Sequence, residues 1–224
     1  MTASHSSRPE SNPFSTRCVR PGALPYFFPP GETIDSVLER LIANDWRGQI
    51  LGPHGSGKST LLATLLPRIE QHGMRIILAE LHDGRRRMPE TVPLPWKARP
   101  TLRHPCSTAA PGREQPLSTA DPPSILVIDG YEQLPWWRRR LVQWQCGRHD
   151  VGLLVTAHRP IGLPAVFHTQ TDPATFRHVV ARLLEGQAEC PTDEEINRCL
   201  ERHAPNLREA LFELYDLFES RREC

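Results

Sequence analysis

Residues 52–59, GPHGSGKS, put glycines, a lysine and a hydroxyl at a spacing suited to phosphate. They fit the pattern GxxxxGK[ST] between an apolar run and a helical pattern. In such a loop Gly52, Gly55 and Gly57 let backbone N–H groups turn inward around phosphate oxygens. Pro53, His54, Ser56 and Thr60 complete the segment that would hold the anion. Lys58 brings a compact positive charge to the β- and γ-phosphates, and the Ser59 hydroxyl is a ligand for Mg²⁺. Lys58 and Lys97 are the only lysines among 27 basic residues. An ammonium at 58 in an arginine-dominated chain therefore argues against accident, because guanidinium does not replace it in this role. A second group follows in ILVIDGYEQL (125–134), an apolar run ending in Asp129, whose carboxylate would hold the Mg²⁺ through water. Hydrolysis also needs a group to orient water. The residue after Asp129 is Gly130, so Glu132 is the nearest acid for that task. In LLVTAHRP (153–160), Thr156 and Arg159 are candidate γ-phosphate contacts.

The elements that must position these groups are legible as patterns. Thr33 is placed to cap a helix with Ile34, Val37, Leu38, Leu41 and Ile42 on one face. Strands are expected at RGQILGP, MRIILAEL, SILVIDG and LLVTA, with AVFHTQ as a fifth, and a helix over GKSTLLATLLPRIEQ stopped by Gly73. Continuous apolar runs such as Ile125–Ile128 suit strands covered on both faces, hence a mostly parallel sheet with helices on either side. Three helices close the chain. Asp172-Pro173 marks the start of the first, and Thr192 with Glu195 forms a capping-box pattern for the second. Leu207, Leu211, Leu214 and Phe218 share one face of the third.

Proline divides the chain further: six of the 23 prolines fall in residues 1–30 and nine in 84–123. The domain organisation expected is a flexible N-terminal tail over 1–29, a nucleotide-binding domain over 30–170 interrupted by a Pro-rich insertion or long loop at 84–123, and a helical lid over 171–224. The formal net charge is +1, from 27 basic and 26 acidic residues, which predicts no strong pull toward nucleic acid or anionic membrane. No apolar run reaches the ~18 residues of a membrane span. Neither an apolar leader core nor a CxxC pair occurs, so a cytoplasmic, reducing setting is expected for the six cysteines. WWRRR (136–140), RRR (85–87) and RR (221–222) mix arginine with aromatics as single-strand binders do. However, Trp137, Leu141 and Trp144 share helical spacing, which predicts that they pack the helix on the sheet while the arginines stay solvated.

The order of phosphate loop, acidic strand and strand ending in Thr resembles the P-loop NTPase group that includes the AAA+ and STAND (NACHT-like) ATPases. IDGYEQL is similar to the STAND form of the acidic strand. LLVTAHRP is similar to the hhTsRP segment, with His158 as an extra residue before Arg159. APNLREALFELY is similar to the GNxRE stretch of AAA+ lid helices, with Pro205 where glycine is usual. The resemblance implies a three-layer α/β P-loop fold with a small C-terminal helical lid. It also implies binding of ATP and Mg²⁺ and a phosphate contact from Arg208. It permits an adenine pocket at Tyr26–Phe28, although packing of these rings on the sheet edge is the preferred reading. The function expected is a Mg-dependent ATPase coupling nucleotide to conformational change. Alternatives are a nucleotide-gated interaction module with little turnover, and a kinase in which Arg85, Arg86 and Arg87 clamp a phosphate acceptor. An unidentified protein partner or an oligomer is compatible with each. A GTPase is disfavoured because no NKxD occurs and the one DxxG, Asp45–Gly48, precedes the phosphate loop. An ABC ATPase is disfavoured because there is no LSGGQ-like signature.

Overall fold

In a computed structural model of the chain, residues 12–81, 87–89, 92, 94, 122–187, 190–204 and 206–222 are described. After a single turn of helix, α1 (Thr16–Val19), the first long element is α2 (Ile34–Ala43). Thr33 starts it through a reciprocal box with Ser36: each side chain receives the other's backbone N–H, at 3.1 Å in both directions. Strand β1 (Arg47–Leu51) runs into the 52–57 loop, and α3 (Lys58–Gln71) leaves it. Then come β2 (Arg75–Glu80), β3 (Ser124–Asp129), a 3₁₀ turn at Tyr131–Gln133, and α4 (Trp136–Arg148). β4 (Gly152–Ala157), β5 (Ala165–His168) and three helices, α5 (Pro173–Leu183), α6 (Asp193–His203) and α7 (Leu207–Arg222), complete the chain.

The five strands form one all-parallel sheet in the order β2-β3-β4-β1-β5. Burial explains the parallel arrangement. Ile125, Leu126, Val127 and Ile128 are all fully buried because alternate residues meet different helical layers. On one face Ile125, Val127 and Leu154 pack with Val37, Leu41, Leu61 and Leu65 of α2 and α3. On the other, Leu126, Ile128 and Val155 pack with Tyr131, Leu134, and Val142 and Cys146 of α4. The fold is thus α/β, with helices flanking both faces. The helices α5, α6 and α7 enclose a separate core around Phe176, Val180, Leu200 and Leu214. Their sequence signals are realised: Asp172 accepts from Thr175 N at 2.8 Å, and Thr192 and Glu195 form the reciprocal box.

Three expectations need correction. Residues 12–29 are not a loose tail. Phe14 is fully buried against Phe218 in the α5–α7 core, and Asn12 donates to the Tyr215 carbonyl at 3.0 Å. A proline-rich segment lacks its own periodicity, but one aromatic anchor suffices to bury it against a ready apolar face. The α4 tryptophans do not pack on the sheet. Val142 and Cys146 make that contact, while Trp136, Trp137, Leu141 and Trp144 are 71, 49, 47 and 56% exposed. Helical spacing puts side chains on a common face without saying which face is covered. Likewise Ile42 lies at the margin of the α2 stripe and is exposed. The 84–123 insertion falls mostly outside the described residues, although Val92 and Leu94 are buried against the α4 side of the sheet.

Candidate functional site

Parallel pairing aligns the carboxyl ends of β1, β3 and β4. Leu51 lies opposite Ala157, Ile50 opposite Thr156, and Ile128 opposite Val155. The 52–57 loop, Asp129 and Thr156 therefore emerge side by side at the carboxyl end of the sheet, where ligands of open α/β sheets bind. A cavity of about 380 Å³ lies there. It is lined by Gly55, Ser56, Gly57, Lys58, Ser59 and Thr60 from the loop and α3, with His54 beside them. Asp129, Glu132, Thr156 and His158 contribute from the sheet, and Arg208 from α7.

Within the loop, Ser56 Oγ donates to the Pro53 carbonyl at 2.8 Å and shares a 2.6 Å hydrogen bond with Thr169 Oγ1. Thr169 N in turn donates to the Leu51 carbonyl, so the loop is tied to the end of β5. Gly55 sits at φ +69°, and a Cβ there would fall inside the Asn206 side chain. Asn206 Oδ1 is itself buried without a hydrogen-bond partner among the described residues. The loop thus meets the start of α7 through a glycine that no other residue replaces without displacement.

Lys58 is only 8% exposed. Its ammonium donates to the Gly52 and Pro53 carbonyls at 2.9 and 2.6 Å and lies 3.1 Å from His158 Nδ1. It makes no ion pair among the described residues. Burial pulls its pKa below the usual lysine value, with the charges of Glu132 and Asp129 acting in the opposite direction. His158 Nε2 contacts Glu132 Oε1 at 2.9 Å. His158 Nδ1 also lies 3.1 Å from the Gly52 carbonyl oxygen, so this ring nitrogen faces both the Lys58 ammonium, which only donates, and a carbonyl, which only accepts. Glu132 Oε2 is buried and has no hydrogen-bond partner among the described residues. The His54 ring covers His158 at 3.6 Å between centroids, and burial, followed by the neighbouring His158, lowers the His54 pKa.

Asp129 is buried, and its Oδ1 accepts from Thr156 Oγ1 at 2.5 Å. Thr156 Oγ1 accepts in turn from Gly130 N at 2.8 Å. Its proton is therefore committed to Asp129, and Thr156 positions that carboxylate rather than presenting a free donor to the cavity. Gly130 explains why the second acid stands at 132. At φ +79° its Cβ would collide with the Leu81 carbonyl oxygen, so the turn after Asp129 excludes a side chain. Arg159 is exposed and outside the cavity lining; His158 takes the inward place. Arg208 lies at the cavity mouth, its guanidinium 5.5 Å from the Phe212 ring centroid. Arg85, Arg86 and Pro205 lie outside the described residues, and Arg87 is exposed.

The N-terminal aromatics divide. Tyr26 and Phe28 pack edge-on against Phe167 of β5, as expected for sheet-edge packing. Phe27 lines the cavity, as Tyr26 also does, and with Val19, Leu24, Val179, Leu207 and Leu211 it forms an apolar chamber beside the loop. Sequence reasoning missed His158, Asn206 and Thr169 as parts of the site. The one available signal was His158 itself, the extra residue in LLVTAHRP. No protein-family model matches the chain, and no curated protein is significantly similar to it.

Proposed function

We propose that this cavity binds ATP with Mg²⁺ and that the chain is an ATPase of the AAA+/STAND type, with α5–α7 acting as a lid. The observation that carries the reading is Lys58, a buried, desolvated cation held in a glycine loop at a helix N-terminus with no acid paired to it among the described residues. Such a group needs an anion, and the oxygens of a triphosphate satisfy it together with the loop N–H groups. The residues present fit the metal as well. Ser59 and Asp129 would hold Mg²⁺, which supplies charge neutralisation at the β- and γ-phosphates. Thr156 fixes the Asp129 carboxylate, and Glu132, anchored through one oxygen to His158, keeps the other for orienting water. The apolar chamber around Phe27 suits the base, and Arg208 at the mouth suits a phosphate contact from the lid. Localisation in a reducing, cytoplasmic setting belongs to the same reading.

A nucleotide-gated module with slow turnover is the second reading, favoured by the His158–Glu132 contact, which ties down the water-orienting acid. Steady-state phosphate release with Mg²⁺ separates the two. For an ATPase, Glu132→Gln keeps ATP affinity within a few-fold and lowers kcat by about 10²–10⁴. Wild-type binding without measurable turnover selects the gated module.

A further inference from the structure

We propose that the exposed face of α4 is a binding surface for single-stranded nucleic acid. Four of the large apolar side chains left exposed in the described residues lie on this one helix: Trp136, Trp137, Leu141 and Trp144. Trp137, Leu141 and Trp144 share a stripe, and Trp136 flanks it. Arginines are threaded between them. Arg138 stands 4.7 Å from the Trp137 ring centroid and Arg148 5.5 Å from that of Trp144, while Arg140 and Arg148 are exposed. From Gln133 to His149 the sequence contains four arginines and no acid. The segment thus carries a local charge of +4, bounded by Glu132 and Asp150, in a chain of net charge +1.

The chemistry selects the occupant. A polyanion answers the arginines, and unpaired bases stack on Trp136 and on the indole faces of Trp137 and Trp144 away from Arg138 and Arg148; a duplex keeps its bases covered. Trp137 and Trp144 are two turns apart, about 10 Å along the helix, the length of roughly three bases stacked at ~3.4 Å. An anionic bilayer would favour apolar and basic residues segregated to opposite helix faces, whereas here they are interleaved. The surface is separate from the cavity, and the inference does not depend on the nucleotide reading.

The test is fluorescence anisotropy of a labelled oligothymidylate about 20 nucleotides long, titrated with the full chain at about 50 mM salt. Binding that quenches tryptophan emission is expected, at least tenfold tighter than for a duplex of equal length. Trp137→Ala/Trp144→Ala should weaken it at least fivefold for each lost stack, and the corresponding double substitution to Phe should restore most of it. Arg140→Gln/Arg148→Gln should lower the slope of log affinity against log salt by about 1.4, at ~0.7 per lost phosphate contact. Thermal midpoints of the variants serve as the folding control. The proposal is overturned if wild type does not bind the oligonucleotide, or binds duplex equally well. It is also overturned if the folded tryptophan variant binds unchanged. Binding of phosphatidylserine vesicles without the oligonucleotide would overturn it in favour of a membrane. Tryptophan-dependent dimerisation without oligonucleotide binding would overturn it in favour of a second copy.

Discussion

Lys58 shows how a residue is held at the expense of stability. Its charge is buried against two carbonyls and an imidazole, and burial lowers its pKa, so the folded state disfavours the ammonium. For a base with a depressed folded pKa the penalty is complete below that value and fades as pH rises toward the unfolded pKa. Lys58→Met should therefore abolish nucleotide binding yet stabilise the ligand-free protein at neutral pH by about 1 kcal/mol, or ~2–4 °C in Tm. Thermal unfolding without nucleotide checks this; a drop in Tm would show that the carbonyl contacts outweigh desolvation. Gly130 gives a prediction of opposite sign. Gly130→Glu puts an acid next to Asp129, but the left-handed backbone and the Leu81 carbonyl oppose it. A loss of ~2 kcal/mol or more in chemical denaturation is expected, with no gain in turnover. At this scale the positions of the loop and of Asp129 at one cavity were legible because each motif is local in sequence. The contact between Glu132 and His158 was not, because it joins residues brought together only by the pairing of β3 with β4. The same reason hid Asn206, which meets Gly55 across two thirds of the chain.

The elements followed their patterns where the signal was self-contained. The caps at Thr33, Asp172 and Thr192 form as their residue types dictate, and the apolar run of β3 is buried on both faces. Packing choices between elements were harder to read. The α4 spacing grouped its tryptophans correctly, yet two smaller residues, Val142 and Cys146, face the sheet. Proline content at the N-terminus concealed Phe14, which enters the helical core. The caps carry a pH prediction for α5 and α6. The Thr175 backbone N–H holds the Asp172 pKa below the usual range, and the Thr192 backbone N–H does the same for Glu195. Both groups contribute stability above their unfolded pKa values, and that contribution is lost as pH falls through the lower folded values. The α5–α7 core should therefore weaken below about pH 4, and Asp172→Ala should cost ~1 kcal/mol at pH 7 and much less at pH 2. Urea denaturation of both proteins at the two pH values measures it; an equal loss at both would remove the cap as the cause.

At the scale of the whole molecule, the carboxyl end of the sheet, the N-terminal segment and helices α5 and α7 line one cavity. Phe14 ties the N-terminal segment to the helices, and Asn206 brings α7 onto the loop. A ligand entering the cavity would touch all three parts, which gives nucleotide a means of linking the sheet domain to the helical core. That linkage stands or falls with ligand binding at Lys58. The measurement that tests it most directly is isothermal titration calorimetry of wild type and Lys58→Ala with ATP and Mg²⁺. Wild type should bind stoichiometrically and the variant at least a hundredfold more weakly, since a charge-assisted phosphate contact of about 3 kcal/mol is lost. Absence of ATP binding by folded wild-type protein, or equal affinity in the Lys58→Ala variant, would contradict this expectation.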